Sequence, residues 1–117
     1  MFKIEENTIS LTRGDKATIT LAIEDYQFKV GDKIEFRAYN KKALDKAPVM
    51  KKIIEITEDS ESIDIPLTSE ETAIGEPLNK EIIYWYEIEL NDEQTIIGYD
   101  EDGAKELILY PEGVEEE

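Results

Sequence analysis

The longest alternation of apolar and other residues in the chain, EIIYWYEIEL at residues 81–90, limits the folds that the chain can adopt. One parity holds Ile82, Tyr84, Tyr86, Ile88 and Leu90. Successive side chains of a β-strand point to opposite faces, whereas a helix needs apolar residues every three or four positions. The segment therefore predicts a long central strand with one face in a core.

The same period of two recurs in ATITLAIE, DKIEFRAYN and ESIDIPL, and shorter segments repeat it more weakly (MFKIE, TISL, PVMKKIIEI, TIIGY and KELILY). The residues predicted to point inward are Ala17, Ile19, Leu21, Ile23, Ile34, Phe36, Ala38, Ile63, Ile65 and Leu67. Turn residues separate these segments, so the chain is predicted to be all-β, an antiparallel sandwich or barrel of about seven or eight strands.

One segment, LTSEETAIG at residues 67–75, interrupts the strand pattern. Thr68 and Glu71 have the spacing of a capping box, and Gly75 is suited to end a single helical turn. One short helical turn is therefore expected between two strands. Without an internal repeat or a linker, residues 1–117 are predicted to form a single domain, with 113–117 as a flexible acidic tail.

Composition excludes several classes of function. The chain has no cysteine and no histidine, and 29 acidic residues against 13 basic ones give a net charge of −16. Disulfides and thiolate metal sites are impossible, and the commonest general base and neutral metal ligand is missing. The negative charge repels phosphate backbones and anionic lipid, and no segment approaches the ~20 apolar residues that span a bilayer. The sequence predicts a non-enzymatic protein without metal or cofactor, and without nucleic-acid or membrane partners.

Two short motifs resemble a calcium-binding loop and an adhesion tripeptide, but the sequence around each of them favours a turn. The stretch Asp100–Gly103 crowds three carboxylates beside a glycine, but it lacks the alternating ligands and closing glutamate of an EF-hand. An Asp-Gly pair between TIIGY and KELILY predicts a hairpin instead. The tripeptide Arg13–Gly14–Asp15 lies where a tight turn is needed, so it is predicted to be a turn and not an adhesion motif.

Two features are candidates for an interaction surface. The first is a basic segment on an acidic chain, formed by Lys41, Lys42, Lys46, Lys51 and Lys52. It is either a solvated loop and strand edge or a docking patch that meets acidic surface head to tail. The second is the pair Ile83 and Trp85, which the alternation places on the polar face of their strand. Either another segment of the chain covers them, or a partner does.

The order of several motifs resembles a known group of proteins. NTISLTRGDKATITLAI, FKVGDKIEFRAYNKK, IPLTSEET, YWYEIELNDEQTIIG and a final PEG span nearly all of the chain. They resemble small prophage proteins associated with tails and baseplates in Gram-positive bacteria, and in particular the N-terminal β-sandwich domain of phage baseplate upper proteins. The resemblance implies an immunoglobulin-like sandwich, made in the bacterial cytoplasm, that becomes a structural or adaptor part of a virion. It implies no catalytic residue.

The expected partners are other tail or baseplate proteins, or a second copy of the chain. Baseplate upper proteins continue into a helical linker and a receptor-facing region where this sequence reads PEGVEEE, so the resemblance does not extend to direct host binding. Two alternatives remain. One is a carbohydrate or calcium-assisted adhesion module, and the other is an acidic nucleic-acid mimic that inhibits a host DNA-binding protein.

Overall fold

The computed structural model describes residues 2–5, 7–23, 25–40, 47–75, 80–98 and 103–111. In these ranges the chain forms nine strands and one short helix, which confirms the all-β prediction. The strands are β1 (Phe2–Glu5), β2 (Thr8–Thr12), β3 (Ala17–Leu21), β4 (Lys33–Tyr39), β5 (Met50–Glu55), β6 (Ile63–Leu67), β7 (Ile82–Leu90), β8 (Gln94–Ile97) and β9 (Lys105–Tyr110). The helix α1 (Ser69–Thr72) lies between β6 and β7.

The strands form a large and a small sheet. The large sheet has the order β1-β2-β9-β7-β4-β5, with β8 also paired to β7, and the small sheet pairs β3 with β6. The predicted antiparallel arrangement holds for every described pair except β2 and β9, which run parallel. This exception joins residues about a hundred positions apart, with Ile9 opposite Leu107.

Buried side chains from both sheets belong to one hydrophobic core. The alternation predicted its members correctly, since β3 and β6 both show buried residues at every second position. Phe36 and Tyr86 stack at its centre with ring centroids 5.4 Å apart. The hydroxyl of Tyr86 donates a hydrogen bond to the backbone oxygen of Asn7 at 2.5 Å, so this buried polar atom is satisfied.

The hairpin predicted between β8 and β9 is wrong. Both strands pair antiparallel with β7, β8 with its C-terminal part and β9 with its N-terminal part. They therefore run in the same direction along one edge of β7, where Ile97 is opposite Ile88 and Lys105 is opposite Tyr86. Residues 99–102, which carry the three carboxylates of the predicted turn, lie outside the described residues.

The turn predicted at Arg13–Asp15 is confirmed. Gly14 has a φ of 88°, and the backbone N–H of Asp15 donates to the oxygen of Thr12 at 3.0 Å. The guanidinium of Arg13 donates to the backbone oxygens that follow α1, at 3.0 Å to Ala73 and 2.9 Å to Ile74. A third bond, of 2.6 Å, reaches Gly75. The arginine of the tripeptide thus binds within its own chain.

The capping box predicted at the start of α1 is also confirmed. The backbone N–H of Glu71 donates to the hydroxyl of Thr68 at 3.1 Å, and the backbone N–H of Thr68 donates to the carboxylate of Glu71 at 2.9 Å. The helix has one turn, with Ala73 as its C-cap. The buried hydroxyl of Thr72 donates to the backbone oxygen of Asp15 at 2.7 Å, so α1 and the turn are locked together.

Replacing Arg13 with alanine is expected to lower the free energy of unfolding by about 1–2 kcal/mol, because three carbonyl oxygens lose a charged donor. Lysine at this position is expected to restore less than half of the loss, since an ammonium cannot reproduce the planar geometry of a guanidinium. Urea unfolding measures both effects. Lys16→Ala, at an exposed cation three residues away, is the control. Equal stability of the Arg13→Ala and Lys16→Ala proteins would contradict this role.

Candidate functional site

One side of the large sheet faces away from β3 and β6, and we call it the outer face. Because side chains alternate along a strand, every second residue of β4, β5, β7 and β9 points to this side, while its neighbours point into the core. On these four strands the outer face presents Lys33, Glu35, Arg37, Tyr39, Lys51, Ile53, Glu55, Ile83, Trp85, Glu87, Glu89, Glu106, Ile108 and Tyr110. It includes Ile83 and Trp85, the apolar pair predicted for an interface.

An ion network occupies the middle of the outer face. Strands β4 and β7 place Arg37 opposite Glu87, and Glu35 opposite Glu89. The guanidinium of Arg37 lies 3.0 Å from a carboxylate oxygen of Glu87 and 2.7 Å from one of Glu89, and 3.7 Å from Glu35. Lys51 approaches Glu35 from β5 at 3.6 Å. Opposite charges on neighbouring strands thus stabilise this part of the sheet.

The network is more buried than the alternation suggests. Only 7% of the Glu35 side chain and 20% of the Arg37 side chain are exposed to solvent. The cross-strand neighbours of these two residues are long side chains, Lys51 and Glu87 for Arg37, and Ile53 and Glu89 for Glu35. The polar residues predicted to face solvent therefore form a second, charged packing layer.

Tyr39 connects this network to the aromatic end of the outer face. It is buried opposite Trp85, and its hydroxyl donates to a carboxylate oxygen of Glu87 at 2.8 Å. Burial, together with this hydrogen bond to an anion, raises the pKa of Tyr39 from 10.0 to about 12. The phenol therefore stays neutral in the folded protein at pH values where the unfolded chain begins to ionise.

Ionisation of Tyr39 is expected to lower the stability of the protein between pH 10 and about 12. The raised pKa stabilises the folded state fully at pH values below the pKa of the unfolded chain. This contribution is lost as the pH rises through the pKa of the folded protein. Tyr39→Phe removes the ionisable group and is expected to flatten this part of the pH profile. Urea midpoints of both proteins at several pH values from 9 to 12 measure the difference. Profiles of equal slope would count against the assignment.

Exposed apolar side chains flank the network at two places. Ile83 on β7 is 38% exposed and lies opposite Ile108, while Trp85 is half-buried opposite Glu106. Ile53 on β5 is 45% exposed and lies opposite Glu35. The outer face thus presents two separate apolar points with charges between them.

The two described lysines of the predicted basic segment lie on opposite faces of β5. Lys51 belongs to the outer face, whereas Lys52 is half-buried on the inner side. The ammonium of Lys52 donates to both carboxylate oxygens of Glu71, at 3.2 and 3.1 Å. Lys51 and Lys52 therefore do not share one patch. Lys41, Lys42 and Lys46 lie outside the described residues.

A second polar cluster lies at the end of the sheet near the turn after β7. The carboxylate of Asp32 accepts hydrogen bonds from the hydroxyl of Tyr26 at 2.6 Å and from the backbone N–H of Lys29 at 3.0 Å. A third bond comes from the side-chain amide of Asn91 at 3.2 Å. These donors, Tyr26 first, hold the pKa of Asp32 below its usual range. The cluster ties the connection between β3 and β4 to the turn after β7, so we assign it a structural role.

Within the part of the chain that the structure describes, no group of three or more acidic side chains is arranged to hold a metal ion. No helix of these residues is long and apolar enough to cross a membrane. No family model, curated protein or solved structure matches the chain.

Proposed function

We propose that this protein is a non-enzymatic structural or adaptor component of a phage or prophage tail or baseplate, and that it acts through protein–protein contacts. The order of sequence motifs supports the assignment to tail and baseplate proteins. The enclosure of one core between two sheets supports the finer proposal of an immunoglobulin-like sandwich. In this proposal the protein becomes part of the virion.

The observation that supports the proposal most strongly is the exposure of apolar side chains on the outer face. The small sheet covers the inner side of the large sheet, and the outer face keeps Ile53 exposed on β5 and Ile83 exposed near the half-buried Trp85 on β7. Tryptophan is among the residues that supply most of the binding energy in protein interfaces, where the contacts around it exclude water and charged groups set orientation. The outer face is therefore the surface that we assign to assembly.

Purified phage particles provide the test. The gene is expressed in an induced lysogen with an affinity tag, and mass spectrometry measures how much of the protein copurifies with intact particles. We expect incorporation by the wild type and at least a tenfold loss for Ile83→Asp, which introduces a charge into the apolar contact.

The matched control is Val30→Asp, which makes the same kind of change at a 64% exposed residue in the loop before β4. It is expected to be incorporated like the wild type. Absence of the wild type from particles would contradict the virion role, and equal incorporation of both variants would contradict the choice of surface. Capture of glycans or of a DNA-binding protein by a chain absent from particles would favour the adhesion module or the nucleic-acid mimic.

A further inference from the structure

We infer that the outer face binds a basic protein surface with exposed aliphatic residues, and not a second copy of this chain. The inference rests on the proposed function, because it uses the same face as the assembly surface, and it adds the chemistry of the partner.

The charges of the outer face lead to this partner. Among the outward-facing residues of β4, β5, β7 and β9, five are glutamates and three are cations, a net of −2. Each cation already has an acidic neighbour on the same chain. The ammonium of Lys33 lies 2.6 Å from Asp92, Arg37 contacts Glu87 and Glu89, and Lys51 lies beside Glu35. The charge left for an incoming surface is therefore negative.

The surplus acids lie beside the apolar points. Glu55 follows Ile53 on the same side of β5, and Glu106 is the cross-strand neighbour of Trp85, next to Ile83. A partner that places an aliphatic side chain on each point would bring its flanking residues over these glutamates. Lysine or arginine at the flanking positions would match them, whereas acidic residues would be repelled.

A second copy fits poorly. Two outer faces in contact would oppose two surfaces of net −2, on chains that each carry −16. Like charges brought together in an interface cost several kcal/mol, and the few exposed aliphatic residues of the outer face offer little area to offset this. A basic partner instead gains from electrostatic steering toward the acidic chain.

The spacing of the apolar points sets the size of the partner. From Ile53 the sheet crosses two strand spacings to Glu89, and β7 then runs six residues to Ile83. The two points are therefore about 22 Å apart, given ~4.8 Å between strands and ~3.4 Å per residue. A helix of about four turns spans this distance. The bound element must present aliphatic residues near both of its ends and cations between and beside them.

Trp85 provides a direct readout, because it is the only tryptophan of the chain and lies on the outer face. Three synthetic 18-residue peptides serve as probes: an amphipathic helix of leucine and lysine, its leucine and glutamate counterpart, and oligolysine. Titration at 0.05 and 0.5 M NaCl is followed by Trp85 fluorescence. We expect the leucine–lysine helix to shift the emission and to bind at least tenfold more weakly at the higher salt, because screening shortens the Debye length. Oligolysine is expected to bind at least tenfold more weakly than this helix, and the leucine–glutamate helix not at all.

A pair of charge reversals locates the contact. Glu106→Lys on the outer face is expected to weaken binding of the leucine–lysine helix at least fivefold, and Glu61→Lys, at an exposed residue before β6, to leave it within twofold. Equal binding of the leucine–glutamate helix, equal binding of oligolysine, or equal effects of the two reversals would overturn the inference. So would self-association that buries Trp85 and is lost in Ile83→Asp. Incorporation into particles is measured separately, so a chain that enters particles but fails these titrations refutes the partner chemistry alone.

Discussion

Replacing Phe36 with alanine is expected to lower the free energy of unfolding by about 3–5 kcal/mol, the range for removing a large buried aromatic side chain. Phe36 is fully buried and stacks on Tyr86, so the substitution removes a ring contact and leaves a cavity between the two sheets. Since small domains are stable by only about 5–15 kcal/mol, the variant should be close to unfolding at 37 °C. Urea unfolding followed by Trp85 fluorescence measures the loss.

Two control substitutions separate burial from ring chemistry. Phe36→Leu keeps most of the volume and is expected to cost less than about 1.5 kcal/mol. Phe2→Ala removes the same side chain at a position that is 41% exposed, and we expect a loss below about 1 kcal/mol. If the alanine variants at positions 2 and 36 were equally stable, the stacked pair would not be the centre of the core.

Replacing Arg37 with alanine is expected to lower the free energy of unfolding by about 2–4 kcal/mol. Loss of one partner of a buried ion pair commonly costs about 3–5 kcal/mol, and we expect a smaller value because solvent still reaches the network. The guanidinium is the cation shared by Glu35, Glu87 and Glu89. Without it, three carboxylates remain close together in a poorly solvated layer.

The comparison with Lys51 tests whether the central position of Arg37 matters. The Lys51 side chain is 54% exposed and contacts Glu35 alone among the carboxylates of the network, so Lys51→Ala is expected to cost less than about 1 kcal/mol. A triple variant, Arg37→Met with Glu87→Gln and Glu89→Gln, should regain at least half of the loss because two of the uncompensated charges disappear. A loss for Arg37→Ala no larger than that for Lys51→Ala would show that the network is an ordinary surface feature.

Local sequence signals predicted the strands and the capped turn of this fold. The alternation in ATITLAIE and EIIYWYEIEL depends only on which side chains enter the core, because successive side chains of a strand point to opposite faces of the sheet. The capping box of Thr68 and Glu71 is equally local, since both hydrogen bonds form within four residues. Such features require no knowledge of which strands become neighbours.

Strand pairing depended on contacts that no local pattern specifies. The parallel pairing of β2 with β9 joins Ile9 to Leu107, and neither segment carries a signal for the other. The Asp-Gly pair before β9 favoured a hairpin, but β7 offers one continuous edge long enough for both β8 and β9. Pairing with that edge gives the backbone of each strand hydrogen-bond partners on β7, and it outweighed the local turn preference.

The candidate surface was predicted only in part, because it also depends on which strands become neighbours. The alternation placed Ile83 and Trp85 on the outer face, but it could not show that Lys51 and Lys52 would contact Glu35 and Glu71 respectively. The ion network around Arg37 was missed because its charges look like ordinary solvent-facing residues. The alternating acids of β7 opposite the glutamate and arginine of β4 become a signal only after the register of the two strands is known.

The position of β9 has a consequence for how the protein is made. It is the last of the nine described strands to leave the ribosome, yet it lies in the interior of the large sheet between β2 and β7. Until residues 105–110 emerge, β2 and β7 each expose an unpaired edge, and the apolar positions Leu107 and Leu109 are missing from the core. Unpaired edges are the usual starting points of aggregation, and pairings between distant segments form slowly. Nascent chains stalled before β9 should therefore depend on chaperones, and release of the complete strand should be the step that ends this dependence.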